Sequence, residues 1–121
     1  ARGLINEIHV DPKIEDYILD IVLATRAEGR LQLSERQSNL DLSSFDPLIT
    51  AGASPRATIQ LVRGARCLAF LEGRAHVLPE DVKSITADIL RHRIIPSYEA
   101  QAENMSADTI INQLLDIIRT P

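Results

Sequence analysis

The sequence has few aromatic residues and no tryptophan: two Tyr and two Phe make up 3% of its 121 residues. Its 45% hydrophobic content therefore comes mainly from Ile, Leu, Val and Ala, which predicts an aliphatic core between helices. The single Cys67 excludes an intrachain disulfide, and because it lies in an apolar segment we interpret it as a buried core thiol. This cysteine usage is compatible with a reducing cytoplasm, which is the location we expect.

Long apolar runs and an excess of basic charge are also missing. No stretch approaches the roughly 18 apolar residues of a membrane span, and the first residues lack a signal-peptide layout. The formal net charge of −4 disfavours general nucleic-acid binding, which usually needs a basic domain. The length fits one globular domain, and because the chain begins without Met we expect it to be part of a longer protein.

The sequence contains no self-sufficient active site. It has no G-x-x-x-x-G-K-[ST] phosphate loop, no apolar strand ending in paired acids for Mg²⁺, and no G-x-S-x-G elbow. His9, His76 and His92 are far apart and are not matched with Cys or acidic residues at ligand spacing, so we predict no metal site. We therefore expect the chain alone not to hydrolyse a nucleotide.

The segment GASPRA, from Gly52 to Ala57, marks the start of the central predicted helix. Ser54 is a strong N-cap candidate, and Pro55 fits the first helical position, where an N–H is not needed. Arg56 is unusual there, because the positive end of the helix dipole disfavours a cation by about 0.3–1 kcal/mol. A bound phosphate would reverse that sign, since free N–H groups and a guanidinium together bind anions. On spacing alone, an exposed Arg56 without a ligand is an equally good interpretation.

The central helix is predicted to run from about Pro55 to Glu72 and to end at Gly73, a typical C′ residue. At about 100° per residue it has an apolar face opposite a basic one. The apolar face contains Ala57, Leu61, Val62, Ala65, Leu68 and Ala69, and the basic face contains Arg56, Gln60, Arg63 and Arg66. Because the basic face has no acid before Glu72, it favours an anionic neighbour. Gly64 in mid-helix favours a close crossing by another backbone, and the alternative is a tolerated loss of helix stability.

Three more helices are predicted around it. The first begins at the pair Asp11-Pro12 and runs to about Arg26, the third begins at Pro79 behind Leu78, which cannot cap it, and the last is capped by Ser106. Residues 28–53 show no hydrophobic period, which predicts a long loop with one helical turn at 46–50. Residues 92–96 are predicted to be extended, because they end at a proline. Residues 97–105 form an acidic stretch. The predicted fold class is mainly α: a small helical bundle with a long loop between the first and second main helices and at most a short extended pairing.

The run GASPRATIQLVRGARCLAFL, from Gly52 to Leu71, resembles the sensor-2 segment of MoxR-type AAA+ ATPases. The following LPEDVKSITADILRHRI resembles the next block of that family, and VDPKIEDYILDIVLATR and SYEAQAEN with the last helix match as well. The resemblance covers residues 10–119. It implies that residues 11–121 are a helical lid subdomain and that residues 1–10 are a linker from a preceding α/β nucleotide-binding core.

The resemblance also implies roles for single residues. Arg56 would be the sensor-2 arginine that contacts the γ-phosphate of ATP during hydrolysis, and Ser54 and Pro55 would set the start of its helix. Two positions depart from the family pattern, with Leu78 where Thr is frequent and Gly64 where Ala is usual. Both departures weaken helices and leave the chemistry of the site unchanged.

The cofactors and partners implied by the resemblance are those of a ring ATPase. ATP and Mg²⁺ would bind only together with the core, which carries the phosphate loop, the magnesium-binding acid and the arginine finger. The implied partners are the protein's own core, neighbouring subunits of a ring, commonly a hexamer, and protein substrates in chaperone-like remodelling, without nucleic acid. The alternative is a histone-like helical module that binds a protein partner or DNA without nucleotide, although the acidic balance disfavours DNA.

Overall fold

The computed structural model describes residues 7–36, 42, 45–54 and 56–121. Helices predominate in these ranges, and two short strands pair antiparallel beside them. The helices are α1 (Pro12–Ala24), α2 (Ala27–Arg36), α3 (Arg56–Leu71), α4 (Pro79–Leu90), α5 (Tyr98–Ala102) and α6 (Ala107–Ile117); the strands are β1 (Ile49–Ala51) and β2 (Ile95–Pro96). The predicted fold class, a helical bundle with at most a short extended pairing, is confirmed.

Helix α3 lies at the centre of the bundle, packed against α4 and α1. Its buried residues are Ala57, Leu61, Ala65 and Ala69, which recur one turn apart on the predicted apolar face. Val62 and Leu68 are only half-buried, so the buried stripe is narrower than the sequence predicts. Cys67 is exposed, and our interpretation of it as a core thiol is wrong. Its position on the far side of the helix from Ala65 and Ala69 explains the exposure.

Gly64 marks the crossing of α3 and α4. A Cβ added at Gly64 would lie 2.8 Å from Cδ1 of Ile85 and 3.1 Å from Cδ1 of Ile89. The close approach of another backbone expected at Gly64 is therefore wrong, because the groups that approach are side-chain tips of α4. The small residue at position 64 lets these two isoleucines pack against the helix.

Several helix ends follow the local sequence signals. Asp11 accepts the N–H of Lys13 at 2.9 Å, and Ser106 accepts the N–H of Thr109 at 3.2 Å, so the predicted caps of α1 and α6 are confirmed. Gly73 has φ 74° and ends α3. There the backbone N–H of Arg74 donates to the Ala69 carbonyl at 2.9 Å, which is the bond typical of a Schellman motif with Gly at C′.

The long loop predicted over residues 28–53 is wrong in its first part, where α2 occupies Ala27–Arg36. This helix is largely polar, which hid its period, and it is held by tertiary contacts. A Cβ at Gly29 would lie 2.2 Å from the Leu23 carbonyl oxygen, so only glycine permits this approach to the end of α1. The turn predicted at 46–50 begins slightly earlier, where the N–H of Leu48 donates to the Phe45 carbonyl at 3.0 Å. Strand β1 follows it.

Two further segments carry more structure than the sequence indicates. The acidic stretch 97–105 contains α5, which Ser97 caps by accepting the N–H of Ala100 at 3.1 Å. The described end of the predicted linker, residues 7–10, is part of the fold because Ile8 and Val10 are buried in the core. Although His9 and His76 are far apart in the sequence, their backbones form an isolated parallel β-bridge there. None of the helices in the described ranges is long and apolar enough to cross a membrane.

Candidate functional site

The first residue of α3 is Arg56, and its side chain is exposed. Within the part of the chain that the structure describes, this guanidinium makes no ion pair, and the first turn of α3 contains no acid. The positive end of the helix dipole and an uncompensated cation therefore coincide at one corner of the molecule. Such a corner attracts anions.

The residues predicted to set this helix start differ in what the structure describes of them. Ser54 is exposed, and its backbone carbonyl accepts the N–H of Ala57 at 2.9 Å. Among the hydrogen bonds of the described residues none involves the Ser54 hydroxyl, so the side-chain cap predicted there is not seen among them. Pro55 lies outside the described residues. The binding roles of Ser54, Pro55 and Arg56 stay predictions.

The segment that leads into this corner is held by the end of α1. Ala53 is 1% exposed, and its N–H donates to Oγ1 of Thr25 at 3.0 Å. Thr25 is the C-cap of α1 and is fully buried, and its own hydroxyl donates to the Val22 carbonyl at 2.7 Å. The approach to Arg56 is therefore attached to a rigid helix end and not to another loop.

A second contact with the same threonine involves Gly52. A Cβ built at Gly52 would lie 1.9 Å from the backbone oxygen of Thr25, a distance that no side chain tolerates. Glycine is therefore required here because two backbones meet, which is one of the reasons for an obligatory glycine. The sequence marks Gly52 as part of the helix entry, but only the structure identifies Thr25 as its neighbour.

Arg30 of α2 fixes the beginning of the same segment. Its side chain is 5% exposed, with Nε donating to Oδ1 of Asp46 at 2.8 Å and a terminal nitrogen donating to the Ala24 carbonyl at 3.2 Å. Sequence reasoning missed both Arg30 and Thr25. Their signals, a polar residue at a helix end and an arginine in an apparent loop, are too common to indicate these roles by themselves.

The predicted basic face of α3 extends from this corner. Arg56, Gln60 and Arg63 are exposed, and Arg66 is half-buried with an Nε atom that has no hydrogen-bond partner in the described ranges. Ile59 lies beside them and is 55% exposed. The surface is therefore basic with an apolar element, in a chain whose net charge is −4.

Acidic and histidine residues do not converge on this corner. No group of three or more His, Cys, Asp or Glu side chains that could hold a metal ion occurs within the described ranges. The bridge between His9 and His76 joins their backbones at the other end of α3, near Gly73. The chemistry available at the α3 start is thus anion binding by a guanidinium and a helix end.

Comparison with known proteins identifies the family. Residues 43–114 match the family described as AAA lid domain. The chain is 36% identical over 106 residues to Chaperone MoxR1 of Mycobacterium tuberculosis and 37% identical over 105 residues to Protein MoxR of Paracoccus denitrificans. These alignments cover 88% and 85% of this chain but 26% and 30% of the relatives, so the chain spans less than a third of their length.

A solved structure matches the whole fold. The crystal structure of a "putative ATPase" from Cytophaga hutchinsonii superposes with a TM-score of 0.80 at 39% identity, over 99% of this chain and 34% of that protein. The family match includes β1, α3, α4 and most of α6, and it favours the ATPase lid over the histone-like alternative. The chain belongs to the AAA lid domain family and is of the MoxR type.

Proposed function

We propose that this chain is the lid of a longer AAA+ ATPase and that Arg56 is its sensor-2 arginine. In this proposal ATP binds to a core domain elsewhere in the polypeptide, and the guanidinium of Arg56 contacts the terminal phosphate. The observation that carries the proposal is the state of Arg56: exposed, first in its helix, and without an acidic partner among the described residues. Arg74 and Arg91, by contrast, each pair with an acid.

The residues present fit the phosphate end of a nucleotide and not its metal. A guanidinium and a helix N-terminus are donors suited to phosphate oxygens, whereas the described residues offer no cluster of carboxylates for Mg²⁺. We therefore assign Mg²⁺ and the attacking water to the core. The role of the lid is electrostatic: Arg56 stabilises negative charge on the phosphate oxygens, more strongly as that charge develops during transfer.

The same contact would couple the lid to the nucleotide state. Arg56 meets its partner only while the terminal phosphate is present, so its removal releases α3 from the core. Because α3 is packed against both α1 and α4, a shift of its N-terminus is transmitted to the whole bundle. We propose that this motion drives chaperone-like remodelling of protein substrates in a ring, commonly a hexamer. The name of the relative Chaperone MoxR1 supports the chaperone-like role.

The test is the Arg56→Ala variant of the full-length protein. Turnover of ATP should fall by at least about tenfold, as expected when a charge-assisted contact to the transferred group is lost, with ADP affinity changed much less. Ring assembly and the thermal unfolding midpoint should stay normal, because the side chain is exposed and makes no ion pair among the described residues. The measurements are steady-state ATPase kinetics, ADP titration and size-exclusion chromatography.

Arg63→Ala is the matched control, since Arg63 is also an exposed arginine on the basic face but lies about two turns further from the helix start. We expect it to affect turnover less and contact with the core or a neighbouring subunit more. Normal turnover in an assembled Arg56→Ala protein would return Arg56 to the status of a surface charge and overturn the proposal.

A further inference from the structure

We infer that Thr25 is a positioning residue for Arg56: its buried hydroxyl fixes Ala53 against the end of α1 and so sets where α3 begins. This inference rests on the proposed function of Arg56. Thr25 itself is too deeply buried to touch a nucleotide, because none of its surface is exposed. Its effect on turnover must therefore pass through the segment that it holds.

The hydroxyl of Thr25 is used in both directions. It donates to the Val22 carbonyl at 2.7 Å, which orients its lone pairs, and it accepts the N–H of Ala53 at 3.0 Å across 28 residues of sequence. The Ala53 N–H is buried, and a buried backbone donor must find a partner. If the hydroxyl is removed, the segment at Ala53 has to move outward so that its N–H can bond to water.

The neighbouring contact leaves little freedom for any other placement. Gly52 lies so close to the Thr25 carbonyl that an added Cβ would be 1.9 Å from it. The hydrogen bond thus holds Ala53 against Thr25, and the close contact at Gly52 restricts how the preceding residue can be placed. Arg56 follows closely, and displacement by about 1 Å of a group that acts on the reacting atoms can lower a rate by about 100-fold.

The chain offers a matched control in Thr86 of α4. Like Thr25, Thr86 is fully buried, and its hydroxyl donates back to a helical carbonyl, that of Val82, at 2.6 Å. In the described ranges no other segment donates to it. Thr86→Val therefore removes a buried hydroxyl from the bundle without releasing the approach to Arg56.

The experiment compares variants of the full-length ATPase by turnover, ADP affinity and thermal unfolding. Thr25→Val should lower kcat by at least about fivefold with ADP affinity within about twofold, while Thr25→Ser, which keeps the hydroxyl, should retain turnover within about twofold of the parent. Thr86→Val should leave turnover unchanged. In the Arg56→Ala background, Thr25→Val should cause no further loss, because the residue through which it acts is already gone.

Equal turnover in Thr25→Val and the parent, or the same fold loss with and without Arg56, would overturn the inference. So would a loss in Thr25→Ser as large as in Thr25→Val. If Thr25→Val does not fold, Thr25→Ala replaces it, and failure of both to fold would make Thr25 a purely structural residue and also overturn the inference. A normal rate for Arg56→Ala contradicts the proposed function, whereas a slow Arg56→Ala with a normal Thr25→Val contradicts only the role of Thr25.

Discussion

Asp81 accepts the backbone N–H of Leu78 at 2.8 Å and forms an ion pair with Arg74, the residue that follows the Gly73 turn. The sequence predicts a poorly stabilised start of α4, because the Leu78 side chain has no acceptor for the first-turn N–H groups. The structure corrects this in part, since the acid in the first turn bonds back to the N-cap backbone. The end of α3 and the start of α4 are thereby joined through one buried carboxylate.

Asp81→Asn should lower the free energy of unfolding by about 1–3 kcal/mol, because it weakens a hydrogen bond and an ion pair that share a carboxylate only 3% exposed. Glu80→Gln is the control, being an exposed acid in the same helical turn, and it should change stability by less than about 0.5 kcal/mol. Urea unfolding followed by circular dichroism measures both. Equal losses in the two variants would show that the carboxylate of Asp81 has no special role.

Leu61→Ala and Leu68→Ala compare the stability lost at a fully buried position of α3 with that lost at a half-buried one. Leu61 is fully buried, and its truncation should cost about 2–5 kcal/mol. Leu68 is only half-buried beside a surface cleft with Leu78, so its truncation should cost about 1 kcal/mol. The sequence alone predicts similar losses for the two. Denaturant titration distinguishes the outcomes, and a larger loss for Leu68 would show that this face of α3 is covered by something in solution.

Gly73→Ala tests the end of α3. The glycine has φ 74°, and a Cβ there would meet no atom within 4 Å, so the expected loss of about 1 kcal/mol is purely a backbone effect. Gly73→Asn should lose less, since asparagine adopts the left-handed conformation more readily. The thermal unfolding midpoints of the two variants provide the comparison. An unchanged midpoint in Gly73→Ala would mean that the turn is not fixed in solution.

The contact between α4 and α6 should make stability depend on acid pH. Arg91 donates to Asp108 at 2.7 Å, and this hydrogen bond, with the charge of Arg91, holds the pKa of Asp108 below its ordinary value. Because the folded-state pKa is lowered, the stabilisation is present above the unfolded pKa of about 4 and is lost as pH falls through the lower folded value.

Asp108→Asn should therefore lower the unfolding midpoint slightly at pH 7, and this difference from the parent protein should shrink toward pH 2. The effect is small because both side chains are exposed to solvent. Thermal scans of both proteins across this range provide the measurement. A difference that grows on acidification would contradict the assigned direction of the pKa shift.

The sequence by itself determined the features that arise within one helical turn. The caps at Asp11 and Ser106 and the glycine end at Gly73 follow from groups a few positions apart, whose geometry the helix itself fixes. The apolar period likewise gives the position of α3, and the aliphatic composition gives the class of fold. Local hydrogen bonds and the helical repeat require no knowledge of the neighbours.

Only the tertiary structure decided which polar segments are helical and how wide the buried face of each helix is. Helix α2 is too polar to show a period and is held by the approach at Gly29 and the buried Arg30, while the exposure of Cys67 depends on which sides of α3 the other helices cover. The contact of Thr25 with Ala53 spans 28 residues and has no local signature. Its partners are brought together by the packing of the chain, because burial of a backbone donor needs an acceptor that only the folded neighbourhood supplies.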